Sequence, residues 1–131
     1  MLKGWEDRLD LVGDLTDEER SVARHLADCF HRHFIGPGMA RTGKQISAYY
    51  AKQGIKMNGA RVRKIIHALR VSDAVPLLLA SSKGYYRAID MADVARFEDS
   101  LRQREDSIRA ARSAIYRQRQ ALRGGGQGNF F

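Results

Sequence analysis

The chain has 131 residues, with 23 Lys/Arg against 15 Asp/Glu and one cysteine, for a formal net charge of +8. That length bounds one domain with appendages, and the lone Cys29 excludes an internal disulfide and fits a reducing compartment. No apolar run approaches the ~20 residues of a membrane span and the N-terminus lacks the apolar core of a signal peptide, so the expectation is a cytoplasmic protein with no membrane partner.

In chain order, residues 1–15 place Trp5, Leu9, Leu11 and Val12 among acids, and are expected to form a short arm ordered against the domain. Thr16-Asp17-Glu18-Glu19 is a capping box, in which Thr16 accepts from the Glu19 amide while Glu19 reaches back. Val22, Leu26, Cys29/Phe30 and His33/Phe34 then recur at helical spacing. Gly36-Pro37-Gly38 stops that helix, and the link through Met39-Ala40-Arg41 looks irregular. Thr42-Gly43-Lys44-Gln45 repeats the capping logic and opens a short second helix, with Ile46 and Tyr49/Tyr50 expected inward and Gly54 as its end. Asn58 is a good N-cap for a third helix over residues 59–71, with Val62, Ile65, Ile66 and Leu69 on its inner face.

After Asp73 the period changes. Residues 75–80 and 85–89 read as strands flanking Ser-Ser-Lys-Gly at 81–84, a hairpin with glycine where a positive φ is expected. Pro76 fits a strand start or an edge. A two-stranded hairpin is not stable alone and must lean on the helices. Asp90 caps a last helix over residues 91–123, and residues 124–131 read as a flexible glycine-rich tail ending in Phe130-Phe131. The domain proper is then 16–90, and the fold class is mainly α with a small β-hairpin: a winged helix-turn-helix plus a long C-terminal helix.

The charge is concentrated. Residues 36–90 hold ten Lys/Arg against two acids, a net of +8, while residues 1–35 come to −3 and residues 91–131 to +3. Clustered cations point to a polyanion, most often nucleic acid. On the third helix, burying the apolar face leaves Ala60, Arg61, Arg63, Lys64 and His67 towards solvent beside the small Asn58-Gly59 start. A small-residue N-terminus admits phosphates to the helix amides, and the row at 61, 64 and 67 is one that would face a major groove. Arg61 and Arg63 are the candidates for base readout, since arginine can bridge guanine O6 and N7. Lys44, Lys52 and Lys56, with Lys83 and Arg87 on the hairpin, suit phosphate contacts. The plainer reading makes all of these solvated cations on an amphipathic helix.

The run Asn58-Gly-Ala-Arg-Val-Arg-Lys-Ile-Ile-His-Ala-Leu-Arg70, followed by Ser82-Lys-Gly-Tyr-Tyr86, resembles the winged-helix DNA-binding domain of the biotin operon repressor and related bacterial regulators. Those domains have a recognition helix ending in Leu-Arg and a wing of the form Gly-Lys-Gly-Tyr. The resemblance covers about 45 residues and implies DNA contacts at Arg61, Arg63, Lys64 and Lys83. It implies no biotin chemistry, because the chain leaves no room for a ligase domain. In size the chain is also similar to accessory regulators of phages and integrated elements.

The last helix steps 3-4-3-4 through Val94, Phe97, Leu101, Arg104, Ile108, Ala111, Ile115, Gln118 and Leu122. Every first position is aliphatic, a coiled-coil pattern weakened by polar second positions. The alternative is a stripe that packs on the protein's own first helix. A helix of ~50 Å outruns a ~75-residue domain, which favours a homodimer through Val94, Phe97, Leu101, Ile108, Ile115 and Leu122. His25, Cys29 and His33 fall at i, i+4 and i+8, but structural zinc takes four ligands and no second cluster supplies the rest, so no metal or other cofactor is expected. No nucleophile sits with a base, no glycine-rich loop holds a lysine in phosphate-binding register, and Asp7, Asp10 and Asp14 read as caps or counter-charges, so no enzyme is expected. Phe130-Phe131 would serve as a hook for a protein partner unless the terminus merely frays. The sequence thus favours a sequence-specific binder of double-stranded DNA, a transcriptional regulator acting as a repressor. The alternatives are a replication-initiation or origin-binding protein, and a protein-interaction adaptor built on the same fold.

Overall fold

Both capping boxes form as the sequence requires, and they set where the helices begin. Thr16 Oγ1 accepts from the Glu19 amide at 3.1 Å and Glu19 Oε1 accepts from the Thr16 amide at 3.0 Å. Thr42 and Gln45 make the same pair of bonds, at 3.1 and 2.9 Å. The structure is a computed structural model that describes residues 4–125. Its helices are α1 (Trp5–Asp10), α2 (Asp17–Arg32), α3 (Gly43–Lys52), α4 (Gly59–Val71) and α5 (Met91–Gly125), with a hairpin of β1 (Leu78–Ser81) and β2 (Gly84–Arg87) between α4 and α5. The fold is mainly helical, with a small antiparallel hairpin and a long C-terminal helix. It divides into two units, Met1–Val94 and Ala95–Phe131.

The core of the first unit is shared by its first four α-helices and the hairpin. Leu9 from α1, Phe30 from α2, Ile65 and Leu69 from α4, Val75 from the following turn and Leu78 from β1 are its largest fully buried side chains. The N-terminal arm is therefore part of the core, and Trp5 and Leu9 enter it on one face of α1. Arg20 on α2 secures the arm by donating to the Leu9 and Val12 carbonyls, both at 3.1 Å. At this density of packing each of these aliphatic side chains contributes roughly 2–5 kcal/mol against truncation to alanine.

The hairpin differs from expectation at both ends. Its first strand begins at Leu78 rather than residue 75, because the Val75 amide is spent on the Leu69 carbonyl at 3.1 Å, closing the end of α4. Asp73 and Leu77 then take positive φ values of 62° and 59°, which no strand accommodates. Its second strand covers Gly84–Arg87 rather than 85–89, since Asp90 is already capping α5 through the Ala92 amide at 2.8 Å. Leu78 pairs with Arg87 and Ser81 with Gly84, so only Ser82 and Lys83 form the loop.

The link that looked irregular supplies a third, short line of backbone pairing. Arg41 and Tyr85 exchange amide-to-carbonyl bonds at 2.9 and 2.8 Å, and the Arg87 and Gly36 amides bond to the Phe34 and Arg87 carbonyls at 2.8 and 2.9 Å. The outer edge of β2 is thereby covered, which removes an unpaired strand edge. Gly84, with φ 117°, lies directly on this link: a Cβ there would stand 2.3 Å from the Arg41 carbonyl carbon and 2.5 Å from the Thr42 nitrogen. No residue but glycine fits.

α5 runs 35 residues, about 50 Å, and carries ion pairs such as Arg102–Asp99 along its own surface. It extends through Gly124 and Gly125, past the expected end at residue 123. The hook expected at Phe130-Phe131 lies outside the described residues. Among the described residues no helix is long and apolar enough to cross a membrane.

Candidate nucleic-acid interface

α3, a turn over residues 53–58 and α4 form the helix pair on which the charged residues were expected to converge. The turn works because Gly54 takes φ 81° after the Gln53 C-cap, and because Met57 is buried beneath it. Asn58 then caps α4, its Oδ1 accepting from the Arg61 amide at 2.8 Å. Its side chain is thus partly committed to the fold. The pair is closed by Gly43 at the start of α3, which faces Val62 of α4 closely enough that a Cβ would stand 3.9 Å from a Val62 methyl.

Two of the residues expected to face a groove do not. Arg61 reaches back to α2, donating from Nη2 to Glu18 at 2.9 Å and from Nε to Glu19 at 3.0 Å, and its Nη1 bonds the Lys56 carbonyl. Lys64 Nζ donates to the other oxygen of Glu19 at 2.9 Å. Glu19 is 4 % exposed, the buried charged residue of the core. The Thr16 amide hydrogen bond lowers its pKa first, followed by Lys64 and Arg61, and together these outweigh burial and hold it at about 2. Glu18 and Glu19 push Arg61 upward in turn. Arg61, expected towards solvent as a candidate for base readout, thus has a side chain that is 27 % exposed and triply engaged. Glu19 was legible as a capping residue, but its second role depends on contacts 42 and 45 residues away in sequence.

The outward face of α4 is instead Ala60, Arg63 and His67, at spacings of three and four residues, and all three are exposed. Gly59 is also exposed, and the Arg63 guanidinium lies over it, 3.3 Å from where a Cβ would stand. Lys44 and Lys52 on α3, Lys56 in the turn and Lys83 in the hairpin loop are exposed too. With Arg63, these four lysines make no ion pair among the described residues. Lys83 precedes Gly84, which rests on the N-cap of α3, so the loop lies beside the start of α3. Ser47, Ala48, Ala51, Lys56 and Asn58 border a shallow depression of about 540 Å³ between α3 and the start of α4. Arg87 departs from expectation: it is half-buried, and its Nε is enclosed with no hydrogen-bond partner among the described residues, so it is not on this surface.

Tyr49, expected inward, is 47 % exposed, because Tyr50 alone takes the inner position and bonds His25 Nδ1 at 2.7 Å. Cys29 Sγ lies 4.0 Å from His25 Nε2, while His33 is exposed at the C-cap of α2. Of the residues expected to pair helices, Val94 and Phe97 are half-buried, and Leu101, Ile108, Ile115 and Leu122 are exposed by 39–65 %.

Comparison with protein-family models, with curated proteins and with solved structures gives no match.

Proposed function

We propose that this chain binds double-stranded DNA through a winged helix-turn-helix, with α4 as the helix entering the major groove. The observation that carries the reading is the exposed Ala60–Arg63–His67 face, with four unpaired lysines around it. The small side chains of Gly59 and Ala60 suit close approach of a backbone to the helix N-terminus, where amides favour phosphate. Arg63 takes the base-reading role, and Lys44, Lys52, Lys56 and Lys83 the phosphate contacts. Arg61 and Lys64 brace α4 against α2 and contribute to the field without reading bases. The resemblance to the DNA-binding domain of the biotin operon repressor agrees in the order of helices and hairpin. It implies a cytoplasmic transcriptional regulator, most simply a repressor that excludes polymerase.

Self-association through α5 completes the proposal. Leu101, Ile108, Ile115 and Leu122 repeat every seven residues and are exposed, an arrangement that a second copy would cover. A two-fold dimer requires a palindromic site with half-sites about 34 Å apart or a multiple of that.

The test is to incubate the full chain with fragmented DNA of its own genome at ~150 mM salt, where non-specific phosphate binding is much weakened, and to sequence what is retained. Enrichment of a few sites is expected, and Arg63→Ala should lower affinity for them by about 10- to 100-fold with folding intact. Uniform recovery would leave an architectural binder. No recovery would overturn the reading in favour of a protein adaptor.

A further inference from the structure

One cavity of the first unit has no part in the DNA reading. Between α2 and α3 lies a cavity of about 340 Å³, within the roughly 300–1,000 Å³ range of small-molecule pockets. Its walls are mostly apolar, with Leu26, Ile46, Phe34, Tyr49 and Tyr50 among the residues that line it. Tyr49 and His25 stack nearly parallel, 6° apart with ring centres at 5.7 Å, while Tyr50 meets both rings edge-on. A second cavity of about 280 Å³ shares His25, Tyr49 and Tyr50 with it, so this aromatic group is a wall common to both.

Arg41 is the one residue of formal charge lining the larger cavity, and no carboxylate lines it. Its guanidinium is held in place: the carbon sits 4.7 Å over the Phe34 ring, and Nη1 donates to the Met39 and Ala40 carbonyls at 3.0 and 3.1 Å. Nε and Nη2, the edge that matches the two oxygens of a carboxylate, make no hydrogen bond among the described residues. A fixed guanidinium with its forked edge uncommitted is prepared for a planar anion and loses little freedom on binding. Cys29 lines the same cavity, and burial raises its thiol pKa.

We propose that this cavity binds a small aromatic carboxylate, with the ring system among Phe34, Tyr49 and Tyr50 and the carboxylate on the Nε/Nη2 edge of Arg41. The Arg41 backbone is bonded in both directions to Tyr85 of the hairpin and precedes the N-cap of α3, so the ligand would sit where these elements join. The binding claim stands apart from the DNA reading.

The test is calorimetry on the full chain with 2-naphthoate and its neutral counterpart 2-naphthamide. We expect one 2-naphthoate per chain with a Kd of about 1 mM or tighter, and weaker binding of the amide by at least about fivefold. Arg41→Gln should abolish the preference while leaving amide binding unchanged. Tyr49→Ala, at an exposed position, should weaken both ligands equally and keep the preference, and it carries the test if the Arg41 variant fails to fold. Iodoacetamide labelling of Cys29 should slow more with 2-naphthoate than with equal amide. No binding of either compound, equal binding of both, or a preference that survives in well-folded Arg41→Gln would overturn the proposal.

Discussion

Glu19→Gln tests the ion cluster that places α4. The substitution keeps the capping geometry, since glutamine still offers Oε1 to the Thr16 amide, but removes the charge shared by Arg61 and Lys64. In the folded chain Glu19 is held at about 2 against an ordinary value of 4.5. At about 1.4 kcal/mol per pH unit, that difference corresponds to about 3 kcal/mol of stability from the ionised form. Arg61 and Lys64 remain 27 % and 40 % exposed, so water takes up part of the loss, and about 2–3 kcal/mol is expected at pH 7. For a domain of this size that is a fall in Tm of about 10 °C or more. The pH dependence has a definite sign. A carboxylate whose folded pKa is depressed stabilises the fold fully above its unfolded pKa and ceases to do so as pH falls through the folded one. The gap between wild type and Glu19→Gln should therefore be constant above pH 4.5 and narrow progressively towards pH 2. Urea unfolding followed by circular dichroism at pH 7, 4.5, 3 and 2 measures it. A loss under about 1 kcal/mol at pH 7, or a gap that does not change with pH, would refute the ion cluster as a source of stability and leave Glu19 as a cap alone.

Gly84→Ala should destabilise by about 2 kcal/mol or more, since it combines a positive φ of 117° with a Cβ 2.3 Å from the Arg41 backbone; a Tm within a degree of wild type would show that the hairpin moves freely off the link. Arg61→Ala should lower Tm clearly, whereas Arg63→Ala should leave Tm unchanged and weaken DNA binding in an anisotropy titration; the reverse pattern would restore Arg61 as the reading residue. Lys44→Ala should weaken binding to all sequences alike and reduce the salt slope by about 1, and a sequence-dependent loss would contradict its phosphate role. Ile108→Lys with Ile115→Lys should yield a monomer by sedimentation at tens of micromolar where wild type is dimeric; a monomeric wild type would remove the dimer.

Local rules carried most of the fold. Thr16, Thr42, Asn58 and Asp90 each cap the helix their sequence announced, and α4 begins and ends where the apolar spacing placed it. Legibility failed where the deciding partner is remote. Tyr49 and Tyr50 are adjacent aromatics, and which one turns inward depends on His25 of another helix. The pairing of Arg41 with Tyr85 spans two elements and uses no strand-forming pattern at residues 39–41. Arg61 looked solvent-facing on a wheel centred on Val62 and Ile66, because a wheel drawn for one helix does not contain the acids of its neighbour.

That relocation bears on how much sequence α4 could read. With Arg61 and Lys64 committed to Glu18 and Glu19, the free face offers one guanidinium, one imidazole and the methyl of Ala60. A bidentate arginine is worth about 1–3 kcal/mol of discrimination against a wrong base, and a methyl contact less. On the proposed reading a single copy would distinguish its site from bulk DNA only modestly, while its lysines would bind any sequence. Specificity sufficient for regulation has to come from doubling that readout across two half-sites, or from DNA shape read by the phosphate contacts. The seven-residue stripe of α5 is the feature of this chain suited to the first route, so disrupting Ile108 and Ile115 should cost specific binding far more than non-specific binding. Equal losses on both kinds of DNA would mean that α5 does not organise recognition.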